Sequence, residues 1–576
     1  MIFFRNLTKY APLITLCATP AIAADVHWRV VLSSGDSGIS LPSLPANHSY
    51  VTNFGNDEGG AGLANSGGGL LGFQVDPANS ITPDGNWLET GSGFKQFAGV
   101  AATGALGPNR SGTESGDVFR ALLYSDTFDG STRAFGGRAN APSDSADDAT
   151  LGIWQFDGRS NVEFARVNTD GPLGPNLGSG IVYKALHNVN DTSYDVGVRS
   201  LSNRRVVFAG RVGATGTLGN DGLSVYTPGA GNKVCLLNAS TDDQTGPGVV
   251  NYAFNGLGAT LTVSQRGEVY ASASTARVAG TGPSGLGGIW QFCDGSPKPG
   301  VLTSVAGPYG PHFAGNDTAV FGTDDNGLWP YVAPTEPGSY FFSSGGRLAP
   351  NGTTYFGLFH HSDAQQTNTP LLLENSDDST GYGPHVAGHV FHNAVIPYVI
   401  AASGEYGVLR ANIAPPGASS ADITGLWRLT TDGSVQPAAL GGEAPVSGRT
   451  WDGTFYKFTV FDDGEIVTLA ETRNTATSAT SISWWRLAIG AAPVEILKVG
   501  DLVDVPTASG VVATAITAIS PYYRLGLPAS AGRDTWFTAN GEIIAANVSL
   551  QGHPNATLLI RGQAARPDYI FATGND

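Results

Sequence analysis

The sequence predicts an all-β protein: a single β-propeller of seven or eight four-stranded antiparallel blades, its ring closed by strands from both ends of the chain. Three observations carry this. A glycine turn phrase recurs eight times, a Gly-x-Trp phrase follows most copies, and the first and last segments complete one another.

Composition sets the frame. With 41% hydrophobic and 14% charged residues, the 576-residue chain can bury a large core and is not a low-hydropathy disordered polymer. Its 79 glycines and 34 prolines make about a fifth of all positions, which suits short strands joined by turns. No helical periodicity of any length stands out.

The chain opens with Arg5 and Lys9, the mostly apolar run Ala11 to Ala18, and Ala21-Ile22-Ala23. That order reads as a secretory signal peptide over 1–23, cleaved near Ala23, with one propeller domain over 24–576 in a secreted or periplasmic protein. Leu16 before Cys17 argues against a lipid anchor. No later run reaches about 18 uninterrupted apolar residues, so no membrane insertion is expected.

The turn phrase is clearest in Gln265 to Tyr270, Asp463 to Val467, Asn540 to Ile543 and Gly404-Glu405-Tyr406. Looser copies begin at Gly67, Gly116, Asn203 and Gly352, spaced between 49 and 89 residues. The second phrase reads Gly152-Ile153-Trp154, Gly288-Ile289-Trp290, Gly327-Leu328-Trp329, Gly425-Leu426-Trp427 and Trp484-Trp485-Arg486. Recurrence at equivalent places marks its tryptophans as packing residues. A third phrase, Val494 to Asp501, completes a unit of about four strands, and Trp28 to Asp36 looks like another copy of it. Because the last unit ends soon after Leu558 to Arg561, Trp28 to Leu32 should lie beside that segment and pair an otherwise open edge. Two β-sandwich domains are the rival architecture, and they do not require this pairing.

These phrases resemble the tandem N-x-x-G-x-x-x-F type repeats of secreted bacterial propeller proteins, with Asn65 to Phe73 and Gly267 to Tyr270 as typical matches. The resemblance implies fold and export, not an activity. The aspartate boxes of sialidase-like propellers are missing from the turns.

The net charge of −17 becomes −19 once Arg5 and Lys9 are removed, which disfavours nucleic acid as a partner. Cys235 and Cys293 then remain, and in an oxidising compartment they can form one disulfide between neighbouring repeats. Two buried thiols or a metal thiolate are the alternatives. Walker, H-E-x-x-H and G-x-S-x-G motifs are absent, and no organic cofactor is expected.

One segment reverses the acidic background. Tyr183 to Arg211 holds Lys184, Arg199, Arg204, Arg205 and Arg211 against Asp191 and Asp195, together with His187 and Tyr194. Removing the proton beside a uronate carboxylate needs a cation to offset the enolate-like charge, a base, and an acid for the leaving oxygen. Arg199 or Arg204 suits the first role, His187 the second, and Tyr183 or Tyr194 the third. Solvated charges and a core tyrosine are the plainer reading.

Five of the ten histidines, His360, His361, His385, His389 and His392, fall close together with Tyr382. The set His360, His361, His385 and His389 is the candidate metal site, for a structural zinc. On an extended strand His385 and His389 would share a face. Acid pairs such as Asp242-Asp243 and Asp377-Asp378 would suit calcium, or simply solvate turns.

The expected function is a secreted, monomeric polysaccharide lyase acting on an anionic, uronic-acid-containing and ulvan-like glycan, in a general way similar to propeller lyases of the ulvan-lyase type. A non-catalytic binding propeller and a glycoside hydrolase using paired carboxylates are the alternatives.

Overall fold

The computed structural model describes residues 27–563 except 35–47, 51–63, 66–70, 78–84, 91–92, 128–132, 187–197, 265–266, 314–315, 317, 323–327, 336–337, 349–352, 393–399, 419, 421–422 and 520–541. The expected signal peptide lies outside the described residues. The described chain is nearly all strand, its only helices being three-residue 3-10 turns. None of them is long and apolar enough to cross a membrane.

Seven antiparallel sheets follow one another along the chain, each a meander of four strands. Blade 2 shows the pattern, with strands Val118–Thr127, Arg133–Asn140, Thr150–Phe156 and Asn161–Arg166. The eighth sheet draws on both ends of the chain. Gly510–Ile519, Glu542–Leu550 and His553–Gln563 are its first three strands, and His27–Ser34 lies antiparallel to the third, with Val30 opposite Ile560 and Ser33 opposite Leu558. The pairing predicted for the two termini is therefore present. An extra strand, Leu502–Thr507, precedes the first and meets the opening strand at Arg29 and Asp504, so this sheet curls back on itself.

One backbone device joins each blade to the next. After the fourth strand a residue turns into the left-handed region and its N–H donates to a carbonyl on the following first strand. The bonds are Ala101 to Phe119 (2.9 Å), Asn168 to Tyr183 (2.8 Å), Ala239 to Phe254 (2.8 Å), Ser304 to Phe321 (3.0 Å), Asn375 to Phe391 (2.8 Å), Gly442 to Trp451 (2.8 Å) and Gly500 to Ile516 (2.9 Å). All seven donors have φ between 57° and 95°. The last bond identifies Gly510–Ile519 as the first strand of an eighth blade.

A side-chain clasp identifies its fourth strand. In blades 2, 3 and 5, the fourth-strand Asn161, Asn232 and Asn368 donate to Phe97, Phe164 and Gly300 carbonyls on the preceding blade, at 2.9, 2.7 and 3.2 Å. Each acceptor stands four residues before its stitching residue. Trp28 of the opening strand donates its indole N–H to Ile496, four residues before Gly500, at 3.1 Å. The tryptophan thus takes the asparagine's place, and the N-terminal strand is the outer strand of blade 8.

The Gly-x-Trp phrase has a steric cause. In a strand, residues i and i+2 share a face, and the indole of Trp154 or Trp290 lies where a Cβ on Gly152 or Gly288 would stand. Trp154, Trp290 and Trp427 are fully buried and donate to the Pro108, Pro247 and Pro384 carbonyls at 3.0, 2.9 and 3.0 Å. Their apolar faces fill the gaps between blades, as where Phe391, Trp427, Trp451 and Trp485 share one core.

Three repeat assignments need correction. Gly327-Leu328-Trp329 runs into Leu328–Pro334, part of the first strand of blade 5, whose third strand carries Gly357-Leu358-Phe359 instead. Gly116 precedes a first strand and Gly352 a third strand, whereas the other copies precede second strands. Aligned on second strands, which begin at 71, 133, 206, 269, 339, 406, 466 and 542, the blades are 60 to 76 residues apart. The ragged spacing came from comparing unlike hairpins.

Cys235, on the fourth strand of blade 3, is disulfide-bonded to Cys293, at the turn after the third strand of blade 4. Two stability measurements follow. Trp28→Phe, which loses the Ile496 bond and the part of the buried indole that a phenyl ring does not fill, should cost about 1–3 kcal/mol in urea unfolding, and Trp28→Ala about 3–5 kcal/mol because the side chain is buried. Replacing both cysteines with serine should cost about 2–4 kcal/mol, since the bond closes a loop of 58 residues.

Candidate functional site

The basic island sits on blade 3, whose first strand is split. Its pieces, Ile181–Leu186 and Arg199–Ser200, both pair with Val206–Ala214, with Leu186 opposite Gly210 and Arg199 opposite Val207. His187 and Tyr194 fall between them, outside the described residues.

Below the second piece the chain turns sharply, and the Leu201 N–H donates to the Arg205 carbonyl at 2.7 Å. Asn203 and Arg204 are both left-handed, with φ of 59° and 60°. Asparagine tolerates this; for arginine it costs about 1 kcal/mol or more, and such strain persists only where surroundings enforce it. Gln155 of blade 2 supplies that constraint by donating its side-chain amide to the Arg204 carbonyl at 2.8 Å.

The Arg204 side chain is exposed and makes no ion pair within 4.0 Å among the described residues. Two groups feel its charge. Asp157 is held below the usual carboxylate range, first by the Ser160 N–H at 2.9 Å and further by Arg204. Tyr226 is half-buried and stacked on Phe164 with centroids 4.3 Å apart; burial raises its phenol and Arg204 opposes that rise. The next residue leans the other way. Arg205 donates to the Cys293 carbonyl of blade 4 at 2.8 Å, so this turn bridges three blades.

Tyr183 is not part of this group. It is fully buried, edge-on to Phe208, and its carbonyl accepts the stitch from Asn168. It pairs with Val212, six residues along the second strand from Val206, a separation of about 20 Å at the usual strand rise. Burial also pushes its phenol well above the ordinary value. It cannot share a reaction centre with Arg204, which leaves the unforeseen Tyr226 as the tyrosine beside the turn among the described residues. Arg199 stands one rung from the turn at the level of the backbone.

The histidines occupy separate structural roles. His360 and His361 are successive residues of Thr354–Ser362 and are both buried. His361 stacks on Tyr340 and uses both ring nitrogens, Nδ1 with Asn368 Oδ1 at 2.8 Å and Nε2 with Asp363 Oδ1 at 3.0 Å. His385 and His389 lie in the linker before Val390–Phe391, not on a strand as expected. His385, with φ of 56°, follows Gly383-Pro384 just as Asn109, Asn176 and Gly248 follow their own Gly-Pro pairs. His389 Nδ1 lies 3.0 Å from the Ala387 carbonyl. Among the described residues no three His, Cys, Asp or Glu side chains gather as a metal site. The acid pairs act locally: Asp242 accepts from the Gln244 and Thr245 N–H groups, and Asp377 from that of Ser379.

No family model matches the chain, and no curated protein matches it. Among solved structures it is similar to the β-propeller domain of the trilobed protease from Pyrococcus furiosus, at 9% identity over 77% of this chain and 95% of that one, with a TM-score of 0.31. A dipeptidyl peptidase 4 from Porphyromonas gingivalis is similar at 11% identity over 79% of this chain and 56% of that one, TM-score 0.36. A PL25 ulvan lyase is similar at 10% identity over 88% and 94%, TM-score 0.26.

Burial lowers His360 from its ordinary 6.5 to about 4, with the neighbouring His361 adding to the effect. The folded protein therefore holds it neutral while the unfolded chain takes up a proton. Its contribution to stability is complete above about pH 6.5 and is lost as pH falls toward about 4, a loss of roughly 3 kcal/mol. Urea unfolding across that window should show the decline, and His360→Leu should flatten it.

Proposed function

We propose that the protein acts on an anionic, uronic-acid-containing polysaccharide outside the cytoplasm and cuts it by β-elimination at the Arg204 turn. The observation that carries this reading is an exposed arginine without a carboxylate partner among the described residues, held in a strained backbone beside a half-buried tyrosine. An exposed guanidinium outside any ion pair among the described residues suits a carboxylate that gains charge in the transition state.

In this scheme Arg204, with Arg199 one rung away, offsets the uronate carboxylate. His187 removes the proton from the carbon beside it. The electrons form the carbon–carbon double bond, the bond to the glycosidic oxygen breaks, and Tyr194 or Tyr226 gives that oxygen a proton. A disulfide between blades 3 and 4 agrees with an oxidising compartment. The burial of Tyr183 favours the second reading, a propeller that binds such a polymer without cutting it, since it removes one of the candidate acids.

Purified protein should release unsaturated, ultraviolet-absorbing ends from ulvan or another glucuronate polymer, and Arg204→Gln should lower kcat/KM by about 10²–10³. Saturated ends would point to hydrolysis instead. No new ends from any uronate polymer would overturn the lyase reading, and affinity electrophoresis on the same polymers would then decide for or against binding.

A further inference from the structure

Between blades 3 and 4 lies an open cavity of about 490 Å³, lined among others by Arg205, Lys233, Asn176, Gln244, Thr245 and Asp294. That size lies within the range of small-ligand sites, about 300–1,000 Å³. Two cations face one carboxylate here, in a chain whose net charge is −17. Leu177, 44% exposed, adds an apolar surface at the same rim, and Val225 a buried one. Cations beside neutral amides and a small apolar surface are what an acidic sugar ring requires: one part for its charge, one for its hydroxyls and one for its C–H face.

The walls are fixed before any ligand arrives. Cys293, itself left-handed with φ of 66°, is tied to Cys235 on the strand that carries Lys233, and its carbonyl receives Arg205. Thr245 is held by Asp242 through its N–H at 2.7 Å and its hydroxyl at 2.8 Å. Asn232, next to Lys233, donates to Phe164 and Gly174 carbonyls at 2.7 and 3.0 Å and so pins this strand against the linker that carries Asn176. Polar groups held in this way lose little freedom on binding.

We infer that this cavity binds one anionic sugar unit of a polysaccharide, with Arg205 and Lys233 holding its carboxylate or sulfate, as an anchoring site separate from Arg204. The site does not depend on chain cutting. It would keep an acidic polymer on the surface whether or not the neighbouring turn cleaves it.

Titration calorimetry at low salt tests this with three probes: a glucuronate oligosaccharide, a sulfated galactan oligosaccharide without carboxylates, and a neutral oligosaccharide. The wild type should bind at least one of the anionic probes and not the neutral one, and which it binds tells carboxylate from sulfate. Arg205→Gln with Lys233→Gln should weaken binding tenfold or more, and the double cysteine-to-serine variant should weaken it as well. If the arginine variant fails to fold, as judged by circular dichroism, the exposed Lys233→Gln alone should still weaken binding severalfold. Unchanged affinity in the folded charge variants, equal binding of the neutral probe, or no uptake of either anionic probe at millimolar concentration would overturn the site. Release of unsaturated ends is measured on the same samples, so the anchoring site and the lyase reading can fail separately.

Discussion

The backbone bond from a left-handed residue to the next blade's first strand is the constraint on which the remaining structure depends. It sits at all seven junctions from blade 1 to blade 8. A hydrogen bond there contributes only about 1 kcal/mol. Its larger effect is geometric, because it fixes where each first strand starts relative to the strand before it. Once that start is set, the indoles of the Gly-x-Trp phrases meet the Gly-Pro linkers, and the fourth-strand asparagines meet their carbonyls. The same constraint places Tyr183 in the core: it supplies the accepting carbonyl for blade 3, as Phe119, Phe254, Phe321 and Phe391 do for theirs.

Much of the fold could be read from the residues because its repeating parts use chemically distinctive side chains. Glycine two places before tryptophan is one such part, since at Gly152 and Gly288 a Cβ would run into the indole. The pairing of Trp28 to Leu32 with Leu558 to Arg561 was legible from complementary phrases at the two ends. The stitch was not legible, because its left-handed residue is Ala, Asn, Ala, Ser or Asn at five junctions and glycine only at Gly442 and Gly500. A turn followed by an alternating run also looks the same before any strand of a hairpin, so Gly116 and Gly352 were matched to the wrong strands. Trp28 in place of an asparagine hides the clasp from comparison by residue type, although both donate an N–H to the same kind of carbonyl.

The candidate site divides in the same way. Charge counted along the chain marks Arg199 and Arg204 together with Lys184, Arg205 and Arg211, and does not separate one from another. Tyr226 and Lys233 come near Arg204 and Arg205 through strand pairing within blade 3, and Asp157 through the packing of blade 2 against it, and separations of 22, 28 and 47 residues give no local signal. The histidines mislead for the opposite reason. His361 and His385 are near in sequence, yet one completes a buried hydrogen-bond chain through Asn368 while the other occupies a left-handed turn position.

The splitting of first strands shows where the blades accept inserted residues without losing register. In blades 1 to 7 each first strand is an edge strand, bonded within its sheet only to the second, and in blades 1, 3, 5 and 6 it is interrupted. Blade 3 interrupts it between Leu186 and Arg199, yet the second strand stays unbroken from Val206 to Ala214 and keeps both pieces in register. An insertion there gives up a few ladder bonds and a loop-closure term that grows only slowly with length. An insertion in a second or third strand would break bonds on two sides and displace a buried tryptophan or its glycine. Residues that recognise or act on a ligand can therefore change within the split first strands while the stitches, clasps and indoles hold the blades in place. His187 and Tyr194 lie in one of these permitted positions, between the two pieces of the strand that leads to Arg204.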